Sequence, residues 1–170
     1  SEIEGIILDS ARVRSSVASR LGLSTQGLPS PDHYTEGVVQ VMMDAIKNYN
    51  EALTKERLCD WHSALFPTGR SGMYKISVAE YRQGEEPMQI VSGAMGHEKV
   101  HYEAPSSSLV SHEMNLFLEW INKTCDIDPV IKAAIAHLWF VAIHPFDDGN
   151  GRLTRTITDM MLSRSDGQRL

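Results

Sequence analysis

The residue types best suited to chemistry are concentrated in one stretch, residues 144–155, which reads HPFDDGNGRLTR. His144 offers a general base, and Asp147 and Asp148 offer the hard oxygen ligands that divalent cations prefer. Two glycines let the main chain approach a ligand closely, and three side chains are hydrogen-bond donors: Gly149, Gly151, Asn150, Arg152 and Arg155. This combination suits a site that binds phosphate beside a base.

The segment before this stretch, residues 128–143, is predicted to be a central, buried helix. Asp128 is a good N-cap and Pro129 suits the first helical turn. Apolar residues recur at helical spacing and are expected to face inward: Val130, Ile131, Ala134, Ile135, Leu138 and Ala142. Pro145 cannot continue the helix, so His144 is expected where the helix ends and a loop begins.

A second helix is predicted from Arg152 to Arg164, so the glycine-rich turn opens it. A helix N-terminus has free N–H groups and a positive dipole end, which together bind phosphate. Arg152 and Arg155 can share one face of the first turn. The stretch therefore predicts a polyphosphate site with a base on one side and a carboxylate for a divalent cation on the other. Asp147 is interpreted as a variable turn residue and is not assigned to the metal.

This stretch resembles the signature of the Fic (filamentation induced by cAMP) family, which runs His-x-Phe-x-Asp/Glu-Gly-Asn-Gly-Arg-x-x-Arg. Every fixed position of the signature is matched between His144 and Arg155. The resemblance implies an adenylyltransferase that uses ATP and Mg²⁺ to transfer AMP to a Ser, Thr or Tyr hydroxyl of a target protein. It also implies a mainly α fold: a Fic-type helical bundle around a central helix, with one β-hairpin flap.

The same resemblance gives each signature residue an expected role. His144 would act as the general base on the target hydroxyl, and Asp148 would hold Mg²⁺ against the phosphates. Phe146 would anchor the loop in the core without taking part in the chemistry. The phosphate contacts would come from the remaining positions: Asn150 with the backbone of Gly149 and Gly151 on the α-phosphate, and Arg152 and Arg155 on the β- and γ-phosphates. Asn150 and Arg152 are therefore grouped with His144 as catalytic.

The N-terminal segment, residues 1–21, is predicted to be a helix that Gly22 ends. Its apolar face would be formed by Ile3, Ile7, Val13 and Val17. We divide the chain into an N-terminal inhibitory-type helix, residues 1–22, and a Fic domain, residues 23–170. We expect the two together to be a portion of a longer protein.

Inhibition is expected because Glu4-Gly5 fit the end of a pattern, Ser/Thr-x-x-x-Glu-Gly/Asn, that some Fic proteins carry on an inhibitory helix. In those proteins the Glu pairs with the second signature Arg and fills the space that a γ-phosphate needs. A Glu4 carboxylate bound to Arg155 would compete directly with phosphate. The alternative is that Glu2 and Glu4 only favour a helix N-terminus.

A β-hairpin is predicted where residues 88–91 can pair with residues 99–102. In the Fic family a hairpin flap lies over the active site at this place in the chain order and holds the target segment as an added strand. Gln89, Ile90 and Val91 are the flap candidates, which makes a docked target-protein segment the expected partner. The alternative is an ordinary surface hairpin.

Residues 97–101 spell H-E-x-x-H, the zinc-protease pattern, which works only on a helix. Gly96 precedes the pattern, and Val100 and Tyr102 alternate as in a strand. Two strand histidines in this register lie about 13 Å apart, too far for one zinc ion. We therefore reject the protease interpretation.

Three further helices complete the predicted bundle, and the composition of 42% hydrophobic residues in 170 suits one compact domain. The helices are expected over residues 37–53, residues 55–66 after a Thr54 cap, and residues 112–123 after a Ser111 cap.

The net charge of −6 argues against general nucleic-acid or anionic-membrane binding, so neither is expected as a partner. No stretch is long or apolar enough to span a bilayer and no signal peptide is present, which favours a cytoplasmic location. The oligomeric state is left open. Two other functions also remain open: removal of AMP from a modified protein, with Glu4 as base on water, and nucleotide sensing without transfer.

Overall fold

The computed structural model describes residues 8–85, 88–92, 97 and 99–167, and within these ranges it contains six helices and two antiparallel hairpins. The helices are α1 (Ser10–Arg20), α2 (His33–Lys47), α3 (Lys55–Leu65), α4 (Ser107–Asn122), α5 (Pro129–Ile143) and α6 (Asn150–Gly167). The strands are β1 (Arg70–Ser71), β2 (Tyr74–Lys75), β3 (Gln89–Ser92) and β4 (Lys99–Glu103). The expectation of a mainly α protein is confirmed.

Side-chain caps explain where several helices begin. The Thr54 hydroxyl accepts a hydrogen bond from the Arg57 N–H at 3.2 Å, and the Asp128 carboxylate accepts one from the Val130 N–H at 2.9 Å. Both caps were predicted, and each satisfies a backbone donor that the first helical turn leaves without a partner. Pro129 occupies the first position of α5, where its missing N–H costs nothing.

The bounds predicted for α2 and α4 are wrong, since both helices begin earlier in the chain than expected. Helix α2 begins at His33 and ends at Lys47, whereas residues 37–53 were expected. The Asp32 carboxylate accepts a hydrogen bond from the Thr35 N–H at 2.7 Å and so caps α2 a turn earlier. Helix α4 begins at Ser107 and ends at Asn122 instead of covering residues 112–123. The predicted Ser111 cap is therefore wrong: Ser111 lies inside the helix, and Ser106, which precedes it, makes no side-chain cap bond.

The N-terminal helix is shorter than the expected residues 1–21. Asp9 is extended and caps α1 by accepting a hydrogen bond from the Ala11 N–H at 2.8 Å, so the helix begins at Ser10. Its buried residues are Ser15 and Ser16 instead of the expected valines. Gly22, at φ +69°, follows the end of the helix as predicted. Residues 1–7, which include Glu4, lie outside the described residues.

Helix α5 contributes to the core, but through a different face from the one predicted. Its buried residues are Lys132, Ala133, Ala136, Phe140 and Ile143. The side chains expected inside are largely exposed: Val130, Ile131, Ile135 and Leu138, the last with 71% of its surface accessible. The helix is apolar on nearly every side, so its periodicity could not define the buried face. The Lys132 ammonium is compatible with burial because it donates to the backbone carbonyl of Ile121 at 3.1 Å.

The predicted hairpin is present as the antiparallel pair β3–β4, in which Gln89 lies opposite Glu103 and Ile90 opposite Tyr102. A register shift between Ile90 and Val91 interrupts the ladder. His101 lies within β4, so the H-E-x-x-H pattern does not lie on a helix. In the described part of the chain, every helix is too short or too polar to cross a bilayer.

Candidate active site

His144 lies directly after the last residue of α5, as predicted, in the left-handed conformation with φ +52° and ψ +60°. This conformation is uncommon for a residue with a Cβ and needs support from its surroundings. The His144 N–H donates to the Phe140 carbonyl at 3.1 Å, and its own carbonyl accepts from Arg82 Nε at 2.8 Å. The chain therefore turns sharply at the residue expected to be the base.

Burial lowers the pKa of the His144 imidazole below its ordinary value, and the positive charge of Arg82 acts in the same direction. A backbone hydrogen bond to Val141 and the negative charge of Asp148 oppose these effects. Because the net shift is downward, the ring is mainly neutral at pH 7. A neutral imidazole can accept a proton, which a general base requires.

Asn150 closes the signature loop on itself. Its side-chain carbonyl accepts from the Phe146 N–H at 3.0 Å, and its amide donates to the Phe146 carbonyl at 2.7 Å. Asn150 is 2% exposed. The expected contact between Asn150 and a phosphate stays a prediction, and one of its two amide hydrogens is already used to hold the loop.

Phe146 anchors the loop in the core, as expected. Its side chain is fully buried and stacks on the His62 ring, with the ring centroids 4.2 Å apart and the planes 13° from parallel. The Tyr81 ring meets it edge-on at 5.6 Å. These aromatic contacts fix the middle of the loop, since offset stacking and edge contacts are both favourable.

Gly149 is required at its position for two separate reasons. Its φ is +81°, in the left-handed region that side chains rarely adopt. A Cβ at this position would also lie 2.7 Å from Phe66 Cε2, too close for any real contact. The glycine therefore allows the loop to pass tightly over α3 and enter α6, whose first-turn N–H groups have no earlier helical carbonyl to bind.

The two signature arginines have different surroundings. The Arg152 guanidinium lies over the Phe66 ring at 4.5 Å and over the Tyr34 ring at 5.6 Å, and it donates to the Tyr34 hydroxyl at 3.2 Å. The guanidinium also lies 3.9 Å from the Asp148 carboxylate, so its charge is partly offset while the two aromatic rings hold it in place. Arg155 is exposed on the first turns of α6. Both lie in the first two turns of α6, which begins at Asn150 and ends at Gly167 instead of covering the predicted residues 152–164.

A segment that the sequence did not single out wraps the signature loop. We call residues 70–82 the covering segment. The Ser71 hydroxyl donates to the Asp148 carboxylate, and the Ser77 N–H donates to the Asp147 carboxylate at 3.0 Å. Asp147, which was interpreted as a variable turn residue and not assigned to the metal, therefore anchors this segment to the loop.

His62 on α3 connects the covering segment to the signature loop through hydrogen bonds to both. Its Nδ1 accepts from the Ala79 N–H at 3.1 Å, which leaves the proton on Nε2, 3.1 Å from the Asp148 carbonyl. The ring is fully buried, and this burial lowers the pKa of His62. His62 is therefore neutral, and in this form it holds the backbone of Asp148 in place. In the sequence, only its position on the apolar face of α3 could have indicated that His62 is buried beside the site.

The atoms around Asp148 fit a magnesium ion that is shared with phosphates. The carboxylate is 45% exposed, and the Ser71 hydroxyl contacts it, so the site presents hard oxygen atoms toward solvent. Mg²⁺ usually takes only one or two protein carboxylates and completes its shell with phosphate and water. Among the described residues no group of three His, Cys, Asp or Glu side chains could hold a metal by itself.

The β3–β4 hairpin is attached next to the end of α5. The Tyr102 hydroxyl donates to the Ala142 carbonyl at 2.9 Å, two residues before His144. At the root of the hairpin, the Ala104 N–H donates to the Met88 carbonyl at 2.9 Å. Gln89 and Ile90 are exposed on β3. The hairpin therefore presents an accessible strand beside the candidate base.

The fold and the signature are those of a known family. The Fic/DOC family model matches residues 52–162, more than half of the chain, and the chain belongs to this family. Protein adenylyltransferase fic-1 of Caenorhabditis elegans is 40% identical over 62 residues, which cover 35% of this chain and 12% of the relative. Protein adenylyltransferase Fic of Aedes aegypti is 26% identical over 167 residues, covering 96% of this chain and 30% of the relative. The chain thus spans under a third of the length of these relatives.

Solved structures share the fold at low sequence identity. A Fic domain-containing signalling protein from Bacteroides thetaiotaomicron superposes with a TM-score of 0.64 at 20% identity, over 95% of this chain and 59% of that chain. The IbpAFic2 protein superposes with a TM-score of 0.55 at 19% identity, over 94% of this chain and 50% of that chain. In that structure IbpAFic2 is covalently tethered to Cdc42.

Proposed function

We propose that this chain is the catalytic part of a protein adenylyltransferase, which transfers AMP from ATP to a hydroxyl of a target protein. The observation that carries the proposal is the placement of His144 at the end of α5, directly before the glycine-rich loop that opens α6. Such a helix start binds phosphate. The names of the relatives support the same activity.

In the proposed reaction His144 takes the proton of the target hydroxyl. The hydroxyl oxygen forms a bond to the α-phosphorus of ATP, the bond from that phosphorus to the bridging oxygen of the β-phosphate breaks, and pyrophosphate leaves. Negative charge that grows on the α-phosphate would meet the backbone N–H groups at the start of α6 and the second amide hydrogen of Asn150. Arg152 and Arg155 would neutralise the β- and γ-phosphates.

Asp148, with the Ser71 hydroxyl beside it, would hold the magnesium ion, which when bound neutralises part of the phosphate charge. The chain's own contribution is to keep the Asp148 backbone fixed through His62. Arg152, placed against two aromatic rings, keeps its charge in one position before ATP arrives. Positioning of this kind lowers the entropy that the transition state has to lose.

A target segment would dock on the β3–β4 hairpin as an added strand, through main-chain hydrogen bonds from Gln89, Ile90 and Val91. The exposed position of Gln89 and Ile90 supports this role. The covalent link between IbpAFic2 and Cdc42 supports a protein substrate in general. Main-chain docking selects position more than sequence, so the target's identity does not follow from the hairpin.

Inhibition by Glu4 belongs to the same proposal. A Glu4 carboxylate paired with Arg155 would occupy the space of the γ-phosphate. The exposed position of Arg155 at the start of α6 supports this, because a carboxylate from another segment can reach it. Replacing Glu4 with glycine is expected to release the activity.

The role of His144 can be tested by separating transfer from ATP binding. In a Glu4→Gly chain, His144→Ala should lower the rate of self-modification by about 10² to 10⁴-fold, the usual contribution of a general base. ATP affinity, measured by calorimetry, should change little because the base acts on the target hydroxyl.

His137→Ala is a matched control, since His137 is an exposed histidine on α5, the helix that ends directly before His144. This variant should keep the parent rate. If His144→Ala also keeps it, His144 is not the base and the proposed mechanism is wrong.

A further inference from the structure

Arg82 is an arginine buried among backbone carbonyls. It is 3% exposed, and none of the ion pairs among the described residues includes it. Burying a guanidinium is costly unless its hydrogen-bonding groups are satisfied. Its five donors in a planar fork can satisfy several carbonyls at once, which a lysine cannot do.

Three of its partners are consecutive residues at the end of α5. The guanidinium donates to the His144 carbonyl at 2.8 Å and to the Ile143 carbonyl at 3.4 Å, and the Arg82 backbone N–H donates to the Pro145 carbonyl at 2.9 Å. Carbonyls at a helix C-terminus have no helical donor and carry the negative end of the dipole. A cation with several donors is well suited to this position.

The fourth partner connects Arg82 to the hairpin. Its Nη2 donates to the carbonyl of Pro105, which lies between the end of β4 and the start of α4. Pro105 is thus at the root of the β3–β4 hairpin. One guanidinium therefore contacts both the backbone of the candidate base and the root of the element on which the target is proposed to dock.

We propose that Arg82 is a positioning residue, which locks the backbone of His144 and the root of the β3–β4 hairpin to each other. The inference rests on the proposed function, because it assigns Arg82 the task of bringing the base and a docked target hydroxyl into register. The left-handed conformation of His144 calls for such support, because a residue with a Cβ rarely adopts it. Arg82 binds the carbonyls on both sides of that turn.

The electrostatics give this role a second readout. The charged groups that act on the His144 ring are Arg82, which opposes its protonation, and Asp148, which favours it. Burial lowers the pKa of Arg82, and the negative charge of Asp147 opposes that effect. Removing the positive charge of Arg82 should therefore raise the pKa of His144. A residue that only supported the fold at a distance would not change this pKa.

The test compares Arg82→Gln with Arg164→Gln, both in the Glu4→Gly chain. Arg164 is a suitable control because it is also an arginine bound to carbonyls, those of Tyr49 at 2.6 Å and Glu51 at 2.7 Å, away from the signature loop. The pKa of His144 is measured by NMR of its imidazole resonance, and the rate of self-labelling is measured with ATP labelled at the α-phosphate.

Arg82→Gln should raise the pKa of His144, shift the acid limb of the rate profile to higher pH and slow labelling by about 10 to 100-fold, as expected for a misplaced catalytic group. Arg164→Gln should lower stability and leave the pKa unchanged. The proposal is wrong if Arg82→Gln matches Arg164→Gln in both the pKa and the rate.

If Arg82→Gln does not fold, Arg82→Lys decides the question. Lysine keeps the positive charge, so the pKa of His144 should stay near the parent value. It lacks the planar guanidinium that binds several carbonyls at once, so labelling should slow by about 10-fold. A parent-like rate in Arg82→Lys would overturn the proposal. A parent-like rate in His144→Ala would instead overturn the proposed function, and the NMR measurement would still test the contact with Arg82.

Discussion

His62 illustrates how much of this site depends on single buried residues. Its ring is stacked on Phe146, accepts a hydrogen bond from the Ala79 N–H and lies within hydrogen-bond distance of the Asp148 carbonyl. A second proton on Nδ1 would face the Ala79 N–H, donor against donor. The neutral form is therefore the one that the native structure accepts.

This argument predicts how stability depends on pH. Since the pKa of His62 is lower in the folded chain than its ordinary value of about 6.5, the unfolded chain binds more protons in acid. The contribution of His62 to the free energy of unfolding should be complete above about pH 6.5 and should fall as the pH drops through its folded-state pKa. Urea titrations between about pH 5 and pH 7.5 measure this dependence.

His62→Gln should flatten that dependence, because glutamine can donate and accept in a similar geometry but does not titrate. His112→Gln is the matched control, since His112 is exposed on α4. The control should keep the wild-type slope. An unchanged slope in His62→Gln would mean that the acid sensitivity comes from another group, such as His144, whose pKa is also lowered.

At the scale of elements, the geometry of the turn from α5 into α6 predicts which of its two glycines can be replaced by alanine. Gly149→Ala places a Cβ at φ +81° and against Phe66, which should lower the free energy of unfolding by about 1–3 kcal/mol. Gly151→Ala is the control within the same loop and helix start. A Cβ there meets only Arg155 Nη1 at 4.0 Å, so this variant should be neutral or more stable by up to about 1 kcal/mol.

Thermal or urea unfolding of the two alanine variants gives the comparison directly. Equal effects at both positions would show that the left-handed conformation and the contact with Phe66 do not constrain the turn. A larger loss at Gly149 would support the tight passage of the loop over α3.

The elements also show what the sequence could and could not predict. Local signals were sufficient for α3, the start of α5 and the β3–β4 hairpin, because Thr54, Asp128 and alternating residues act within a few positions. They were not sufficient for the buried face of α5, where apolar residues such as Leu138 stand on the exposed side. An almost uniformly apolar helix has no preferred face until its neighbours are known.

The same reasoning applies to the site. The signature residues are contiguous in sequence, so their grouping between two helices could be predicted from the spacing of His144, Gly149 and Arg152. The contacts of His62 and Arg82 with the loop join residues that are distant in sequence. No local pattern encodes such pairs, since they depend on how the covering segment folds over the loop.

At the scale of the whole molecule, the described residues bring together, at the end of α5, the candidate base, the helix start proposed to bind phosphate, a carboxylate and an exposed strand. A long-range contact supports the arrangement from the other end of α6, where Arg164 donates to the carbonyls of Tyr49 and Glu51. The fold thus keeps both ends of α6 fixed relative to its neighbours, which is what a preorganised site requires.

The central claim is that this chain transfers AMP, and the position of the label on ATP tests it most directly. Wild type and Glu4→Gly are each incubated with Mg²⁺ and with ATP labelled at either the α- or the γ-phosphate, and protein-bound label is measured. The account predicts label from the α-phosphate alone, and far more of it in Glu4→Gly than in wild type. Label from the γ-phosphate, or no label on either protein although ATP binds, would contradict it.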